Sequence, residues 1–277
     1  MKKAAGRLLA LPLHALLIAL LAVLGAMSLG WNAVAMLLYP LLPRRTGLRI
    51  GRAAIAWVYR TFWWLAARCG MLRIDSAALD RLAGERGLIV VANHPSLLDA
   101  LILVARLPRG ACIMKAALMR NPFLGAGARL ARYIRNDSPR SMIRLAVADL
   151  QAGGQLIVFP EGTRTTRPPV DAFKPGVTLI ARLAQAPIQA VFIDTDSPYL
   201  SKGWPLWRLP PLPIRFSVRL GERYAPAQDG DALLQQIEQA FAAGLRPPGT
   251  EAKASAGGAA AKAPTSEMPM QRRTSRP

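Results

Sequence analysis

The sequence predicts an α/β domain with a largely parallel central sheet flanked by helices, preceded by an N-terminal membrane-embedded helical segment. Three observations predict it. Beyond about residue 86, short Val/Ile/Leu runs of strand length alternate with helix-like stretches, the pattern of buried parallel strands joined by crossovers. From Leu8 to Leu42 no ionisable side chain except His14 interrupts a run of about 35 residues, more than the roughly 20 that one spanning helix needs. Hydrophobic residues make up 52% of the 277, a high share for a freely soluble chain.

The apolar run is preceded by Lys2, Lys3 and Arg7 and followed by Arg44, Arg45, Arg49 and Arg52. Ser28, Gly30 and Asn32 lie past its middle, so the run is either one long tilted helix or a hairpin that dips into the bilayer and returns. Positive charge on both flanks favours the hairpin with both ends cytoplasmic. A cleaved signal peptide is the rival, with "AVA" at Ala33–Ala35 as its cleavage site, but the run is too long for one and continues through Leu42. This segment is placed at residues 1–52. The next stretch interleaves Trp57, Tyr59, Phe62, Trp63 and Trp64 with Arg60 and Arg68, side chains that suit a bilayer interface on one helix face and core packing on another.

The folded domain is placed at residues 53–246. Strands are expected near Gly87–Ala92, Ala111–Met114, Leu156–Phe159, Ile188–Ile193 and Ile214–Leu220, with helices over Ser96–Arg106, Ser141–Gln151 and Gly176–Gln185 between them. Ligands in such sheets gather beyond the carboxyl ends of the strands. From residue 247 to 277 the chain is Ala, Gly, Pro, Ser and Lys without apolar periodicity, which reads as a disordered basic tail. Cys69 and Cys112 are too few for a disulfide framework and too isolated for a zinc site, so they read as small apolar residues of a protein in a reducing compartment. The formal charge of +20, from 36 Lys+Arg against 16 Asp+Glu, implies a polyanionic partner: nucleic acid, an anionic bilayer or phosphorylated substrates. No nucleic-acid reading motif accompanies it, since the cations are spread through membrane flanks and tail.

Two strand ends carry the candidate chemistry. In "NHPSLLD", Asn93–Asp99, a histidine and an aspartate follow a buried strand. Five positions on a regular helix turn through about 500°, or about 140° past one full turn, so His94 and Asp99 do not meet if both are helical. Pro95, suited to the first helical position, leaves His94 in the loop, from which its ring can fold back towards Asp99. A carboxylate on one ring nitrogen would fix the tautomer and free the other as a general base. The alternative makes Asn93 and His94 cap donors and Asp99 a first-turn carboxylate facing the helix dipole.

In "FPEGTR", Phe159–Arg164, a second strand runs into a turn. There Gly162 lets a ligand approach the backbone and Arg164 offers a fork for phosphate oxygens; the plain alternative is a surface turn with a Glu161 to Arg164 ion pair. Lys115, Arg129, Arg132 and Arg135 between the two motifs, and Lys174 in "DAFKPGV" after the second, are further cations near strand ends. No second His or Cys cluster completes a metal site.

Taken together these residues resemble the glycerolipid acyltransferase family, in particular its bacterial 1-acyl-sn-glycerol-3-phosphate branch, over roughly Ile89–Val191. "NHPSLLD" is similar to the family's first block and "FPEGTR" to its third, while "AQAPIQAV" with Pro187 is similar to the fourth. The resemblance implies that His94 deprotonates an acceptor hydroxyl, that Asp99 orients it, and that the hydroxyl attacks the thioester of an acyl-CoA or acyl-carrier protein. Glu161, Gly162, Thr163 and Arg164 would hold the acceptor's glycerol phosphate, with Lys115, Arg135 and Lys174 as further substrate contacts. It also implies an N-terminal two-helix membrane motif, no metal or prosthetic group, and residence in the inner membrane with the domain on the cytoplasmic side. Two departures stand out. The second block usually reads aromatic-Ile-Asp-Arg, whereas Tyr133-Ile134-Arg135-Asn136 sets the arginine one position early, and Ala190 stands where the fourth block often has a second proline. The expected reaction is acylation of a lysophospholipid to phosphatidic acid. The alternatives are another acceptor, such as lyso-ornithine lipid, and a non-catalytic anionic-lipid binding protein.

Overall fold

Continuous burial along the central strands, with alternate side chains entering two core layers, builds a sheet with two covered faces. In a computed structural model, which describes residues 2–245 and their side chains from Leu11 onward, seven strands form one sheet. They are β1 (Leu72–Asp75), β2 (Leu88–Ala92), β3 (Gly110–Lys115), β4 (Ile134–Asn136), β5 (Gln155–Val158), β6 (Ile188–Thr195) and β7 (Ile214–Tyr224). The order is β1-β7-β6-β2-β5-β3-β4, and every pair is parallel except β6 with β7. Strands β2 to β6 therefore end on one common edge, and the connection from β6 to β7 begins and ends there.

Along β2, Leu88, Val90 and Ala92 point into one core layer and Ile89 and Val91 into the other, the period of two that a strand imposes. The helices are α1 (Lys2–Leu41), α2 (Arg44–Arg68), α3 (Leu98–Arg106), α4 (Gly125–Leu130), α5 (Pro139–Gln151), α6 (Gly176–Ala184) and α7 (Gly230–Gly244). The first layer is covered by α1, α2, α3 and the β6–β7 connection, the second by α5, α6 and α7. Two short 3-10 turns, Ala77–Leu82 and Ala116–Arg120, complete the described chain. The basic tail expected at residues 247–277 lies outside the described residues.

The five expected strands and three expected helices are present. Strands β1 and β4 went unpredicted because they are four and three residues long and sit at the sheet edges, where one neighbour suffices and the apolar signal is short. Helix α7 also went unpredicted, although Asp229 caps it by accepting from the Asp231 and Ala232 amides and Leu233, Ile237 and Phe241 recur at helical spacing.

The N-terminal segment needs correction. Helix α1 runs unbroken through Ser28, Gly30 and Asn32, so no hairpin turn forms there; the chain reverses only at Leu42–Pro43, and α2 is the returning arm. The physical reason is that Asn32 is spent on a tertiary contact. Its Nδ2 donates to the carbonyls of Ser28 and Phe123, and its Oδ1 accepts from the Gly127 amide at 2.9 Å, fastening α1 to α4. Over Leu11–Leu41 the helix is long and apolar enough to cross a membrane, yet Leu17 and Leu20 are buried in the domain's first core layer. A division after Arg52 falls inside α2.

Helix α2 is held by an arginine. Arg52, 3% exposed, donates to the Ala131 and Arg109 carbonyls at 3.0 and 2.7 Å and pairs with Asp149 of α5 at 2.7 Å. Next to it a Cβ on Gly51 would stand 2.7 Å from the Ala131 amide nitrogen, so only glycine lets α2 reach the end of α4 this closely. Of the aromatic residues along α2, Tyr59 and Phe62 are buried in the core while Trp57 and Trp64 are exposed.

Candidate active site

The end of β2 opens into a loop before α3, and the site begins there. Pro95 is not the first helical residue: α3 starts three residues later, at Leu98, because Ser96 and Asp99 build the helix start between them. Ser96 Oγ accepts from the Leu98 amide at 3.2 Å and Asp99 Oδ2 accepts from the Ser96 amide at 2.7 Å, the reciprocal logic of a capping box. The extra loop length leaves the His94 ring free to fold over the helix start. Its Nδ1 stands 2.9 Å from the same Asp99 Oδ2. Asp99 thus serves both roles foreseen for it, as a first-turn carboxylate and as the partner of the ring. Neither Asn93 nor His94 caps the helix. Asn93 instead bridges to β6, exchanging two bonds of 2.8 Å with the Ile193 amide and carbonyl, which ties the loop to the neighbouring strand.

The ring is fixed on its other side by Phe159, stacked at 4.1 Å between centroids and 22° between planes. The His94 side chain is 14% exposed and that of Asp99 not at all. Burial pushes the Asp99 carboxyl up to about 6, against the lowering effect of the hydrogen bond and charge of His94 and of the Ser96 amide. Its Oδ1 is buried without a hydrogen-bond partner. With Nδ1 held by Asp99, Nε2 is the ring nitrogen left available.

The second motif closes over the first. Glu161 is buried and its oxygens are occupied: Oε1 accepts from the His94 amide and from Thr165 Oγ1, both at 2.9 Å, and Oε2 accepts from the Asp171 amide at 3.0 Å. Burial, the largest influence, raises its pKa in spite of these bonds. Thr165 adds a bond from its amide to the His94 carbonyl at 2.8 Å. Glu161 is therefore a clasp between the two loops, and the described residues show no ion pair between it and Arg164. Sequence reasoning missed this tie because its ends lie 67 residues apart.

Gly162 has φ +71°, and a Cβ on it would run into the Lys174 side chain, so the turn is tight and Lys174 lies across it. Lys174 is exposed and its amide donates to the Pro160 carbonyl at 2.9 Å. Thr163 is exposed at the turn's crest. Arg164 Nη1 donates to the carbonyls of Leu200 and Ser201 at 2.8 and 2.9 Å, a pair of contacts that sets the direction of the guanidinium.

Lys115 and Arg135 are brought to the same sheet edge but further along it. Lys115 ends β3 and Arg135 is the middle residue of β4, two and three strands from β2, or about 10 and 14 Å at the usual strand spacing. Arg135 is exposed and paired with Asp137 at 3.2 Å, consistent with its displaced position in the second block. Packed surroundings push the thiol of half-buried Cys112 up to about 12. Among the described residues no three His, Cys, Asp or Glu side chains cluster as a metal shell would. What the arrangement can do is take a proton at Nε2, beside a loop that offers Lys174, Arg164 and turn amides to an anion.

Residues 73–194 match the Acyltransferase family model. The 1-acyl-sn-glycerol-3-phosphate acyltransferase of Pseudomonas aeruginosa is 22% identical over 224 residues, which cover 78% of this chain and 83% of that protein. The lyso-ornithine lipid O-acyltransferase of the same organism is 33% identical over 142 residues, 48% of this chain and 53% of that protein. The crystal structure of the 1-acyl-sn-glycerophosphate acyltransferase PlsC from Thermotoga maritima superposes with a TM-score of 0.66 at 23% identity, covering 90% of this chain and 98% of that one. That likeness establishes the fold.

Proposed function

On the premise that the chain is an acyltransferase with its domain at residues 73–194, we propose that it acylates lysophosphatidic acid at a membrane, taking the acyl group from acyl-CoA or acyl-carrier protein and releasing phosphatidic acid. The observation that carries this reading is the 2.9 Å contact between His94 Nδ1 and Asp99 Oδ2, fastened by Glu161 to the loop bearing Arg164.

The steps follow from that geometry. Asp99 accepts the Nδ1 hydrogen, so Nε2 is unprotonated and removes the proton of the acceptor hydroxyl as its oxygen attacks the thioester carbonyl. The tetrahedral intermediate collapses, the carbon–sulfur bond breaks, and the departing thiolate takes the proton back from Nε2. No residue of the protein is acylated, and the steps draw on no metal or prosthetic group. Lys174, Arg164 and the turn around Gly162 and Thr163 hold the acceptor phosphate. Lys115 reaches the same phosphate or the donor's, and Arg135 stands too far along the edge for a direct part. A cytoplasmic thioester donor places the domain on the cytoplasmic side of the inner membrane, with α1 in contact with the bilayer.

A second acceptor, lyso-ornithine lipid, is favoured by the 33% identity to the enzyme named for it and by the ion pair that occupies Arg135. The test is acyl transfer by purified protein in mixed micelles against a panel of lysolipids, with His94→Ala as control. Turnover of lysophosphatidic acid above the others supports the first reading, preference for lyso-ornithine lipid supports the second, and membrane binding without transfer to any acceptor overturns both in favour of a lipid-binding protein.

A further inference from the structure

The connection from β6 to β7, residues 196–213, leaves and rejoins the sheet at the edge that holds His94. Its base is part of the site. The Tyr199 carbonyl accepts from Ser96 Oγ at 2.9 Å, the Leu200 carbonyl accepts from the Leu97 amide at 3.1 Å, and the carbonyls of Leu200 and Ser201 hold Arg164. Leu200 takes φ +58° to turn the chain there, a left-handed backbone that a branched side chain seldom adopts. Its tip does the opposite. Trp207 is 66% exposed and Leu206 45%, and Leu97, joined to the base, is 51%. The tip is nevertheless shaped, because Tyr199 Oη donates to the Leu206 carbonyl at 3.0 Å and the Arg208 guanidinium lies over the Trp204 ring at 4.5 Å.

We propose that this tip is a second membrane contact, seating Leu206 and Trp207 in the headgroup layer of an anionic bilayer and thereby presenting His94 to a lipid-borne acceptor. Two observations select a bilayer as the occupant. Between Ser197 and Pro213 the only charged residues are Lys202 and Arg208, and Asp196 at the base is paired with Arg215 at 3.3 Å, so the apolar tip is flanked by cations, the composition that suits an anionic lipid interface. The loop also shares its core layer with the apolar N-terminal helix: Tyr199, Leu200, Trp204 and Leu209 belong to the same cluster as Leu13, Leu17 and Leu20 of α1. Because the base of the loop carries Arg164 and the start of α3, its insertion steadies the phosphate-binding and proton-accepting groups together. This inference rests on the reading of the chain as a membrane-associated lysolipid acyltransferase.

The experiment uses the full chain reconstituted into phosphatidylethanolamine–phosphatidylglycerol vesicles, with Trp207→Cys carrying an environment-sensitive fluorophore in a Cys69→Ala, Cys112→Ala background. The expected result is quenching of the fluorophore by headgroup-attached spin label. In separate protein, Leu206→Ser with Trp207→Ser is expected to slow transfer to vesicle-borne acceptor about tenfold while the protein still floats with the vesicles. A probe left unquenched on protein that floats, or a double variant at full rate, overturns the second contact alone. Wild-type protein that fails to float overturns the membrane reading beneath it.

Discussion

His94, in the loop after β2, and Arg52, buried on α2, are both polar side chains paired with a carboxylate, and they are satisfied to different degrees. Arg52 has all three guanidinium nitrogens bonded, two to carbonyls and one to Asp149. His94 has one ring nitrogen bonded and one open, whereas the two carboxylate partners are alike, Asp99 Oδ1 and Asp149 Oδ2 each being buried without a donor. A fully partnered buried group acts as a fastener, here joining α2 to α4 and α5. A group left one bond short is held in place yet still reactive, which a general base requires.

The comparison can be broken most sharply at the open nitrogen. His94→Ala is expected to lower acyl transfer by about 10³-fold, within the usual range for loss of a general base, while the thermal unfolding curve stays near that of the wild type. An unchanged rate would end the assignment of the base. The fastener fails differently. Arg52→Met strands Asp149 and is expected to cost about 3–5 kcal/mol of stability, read as a lowered denaturant midpoint; adding Asp149→Leu should recover much of it. If Arg52→Met instead slowed transfer in a normally stable protein, the division between fastening and reacting groups would be wrong.

Glu161 lies between the two kinds, being saturated and yet part of the site. Glu161→Gln turns an amide N–H₂ toward donors, and an unsatisfied buried group of this kind costs about 1–3 kcal/mol. A fall in both stability and rate is expected, and because the Glu161 charge is one of the influences that raise the Asp99 carboxyl, its removal should move the pH profile slightly to lower pH. The profile itself follows from Asp99. As the pH falls through about 6 the carboxyl takes up a proton, the imidazole loses its anionic partner, and transfer should decline. Stability moves the other way. A carboxyl whose folded pKa is raised above the usual value of about 3.9 binds its proton more tightly when folded, so its contribution is fully present below that value and lost as the pH rises through about 6. Asp99→Asn should remove this opposition from the unfolding data. The smallest effect is expected at Asn32→Ala, about 1 kcal/mol for hydrogen bonds lost between α1 and α4, measured by hydrogen exchange in α4.

What was legible in the sequence was local or periodic. The geometric demand that His94 leave the helix to reach Asp99 came from a spacing of five, and the central strands came from short runs of Val, Ile and Leu. What escaped notice joins distant positions. Nothing near Glu161 announces that its carboxylate will clasp the amide of His94, nothing near Arg52 points to Asp149, which is 97 residues away, and Asn32 was read as a turn former because polarity in an apolar run looks the same whether it breaks a helix or docks one. Strands β1 and β4 were too short for periodicity to register. Helix α7 had both a cap and a spacing and was simply passed over.

The docking of α1 by Asn32, with Leu17 and Leu20 set into the core, has a practical consequence. A shortened version lacking residues 1–41 would not be a tidy water-soluble catalyst. It would expose a greasy scar on the domain's flank and leave the Gly127 amide without its acceptor, so preparative work should begin from the whole polypeptide in detergent or nanodiscs.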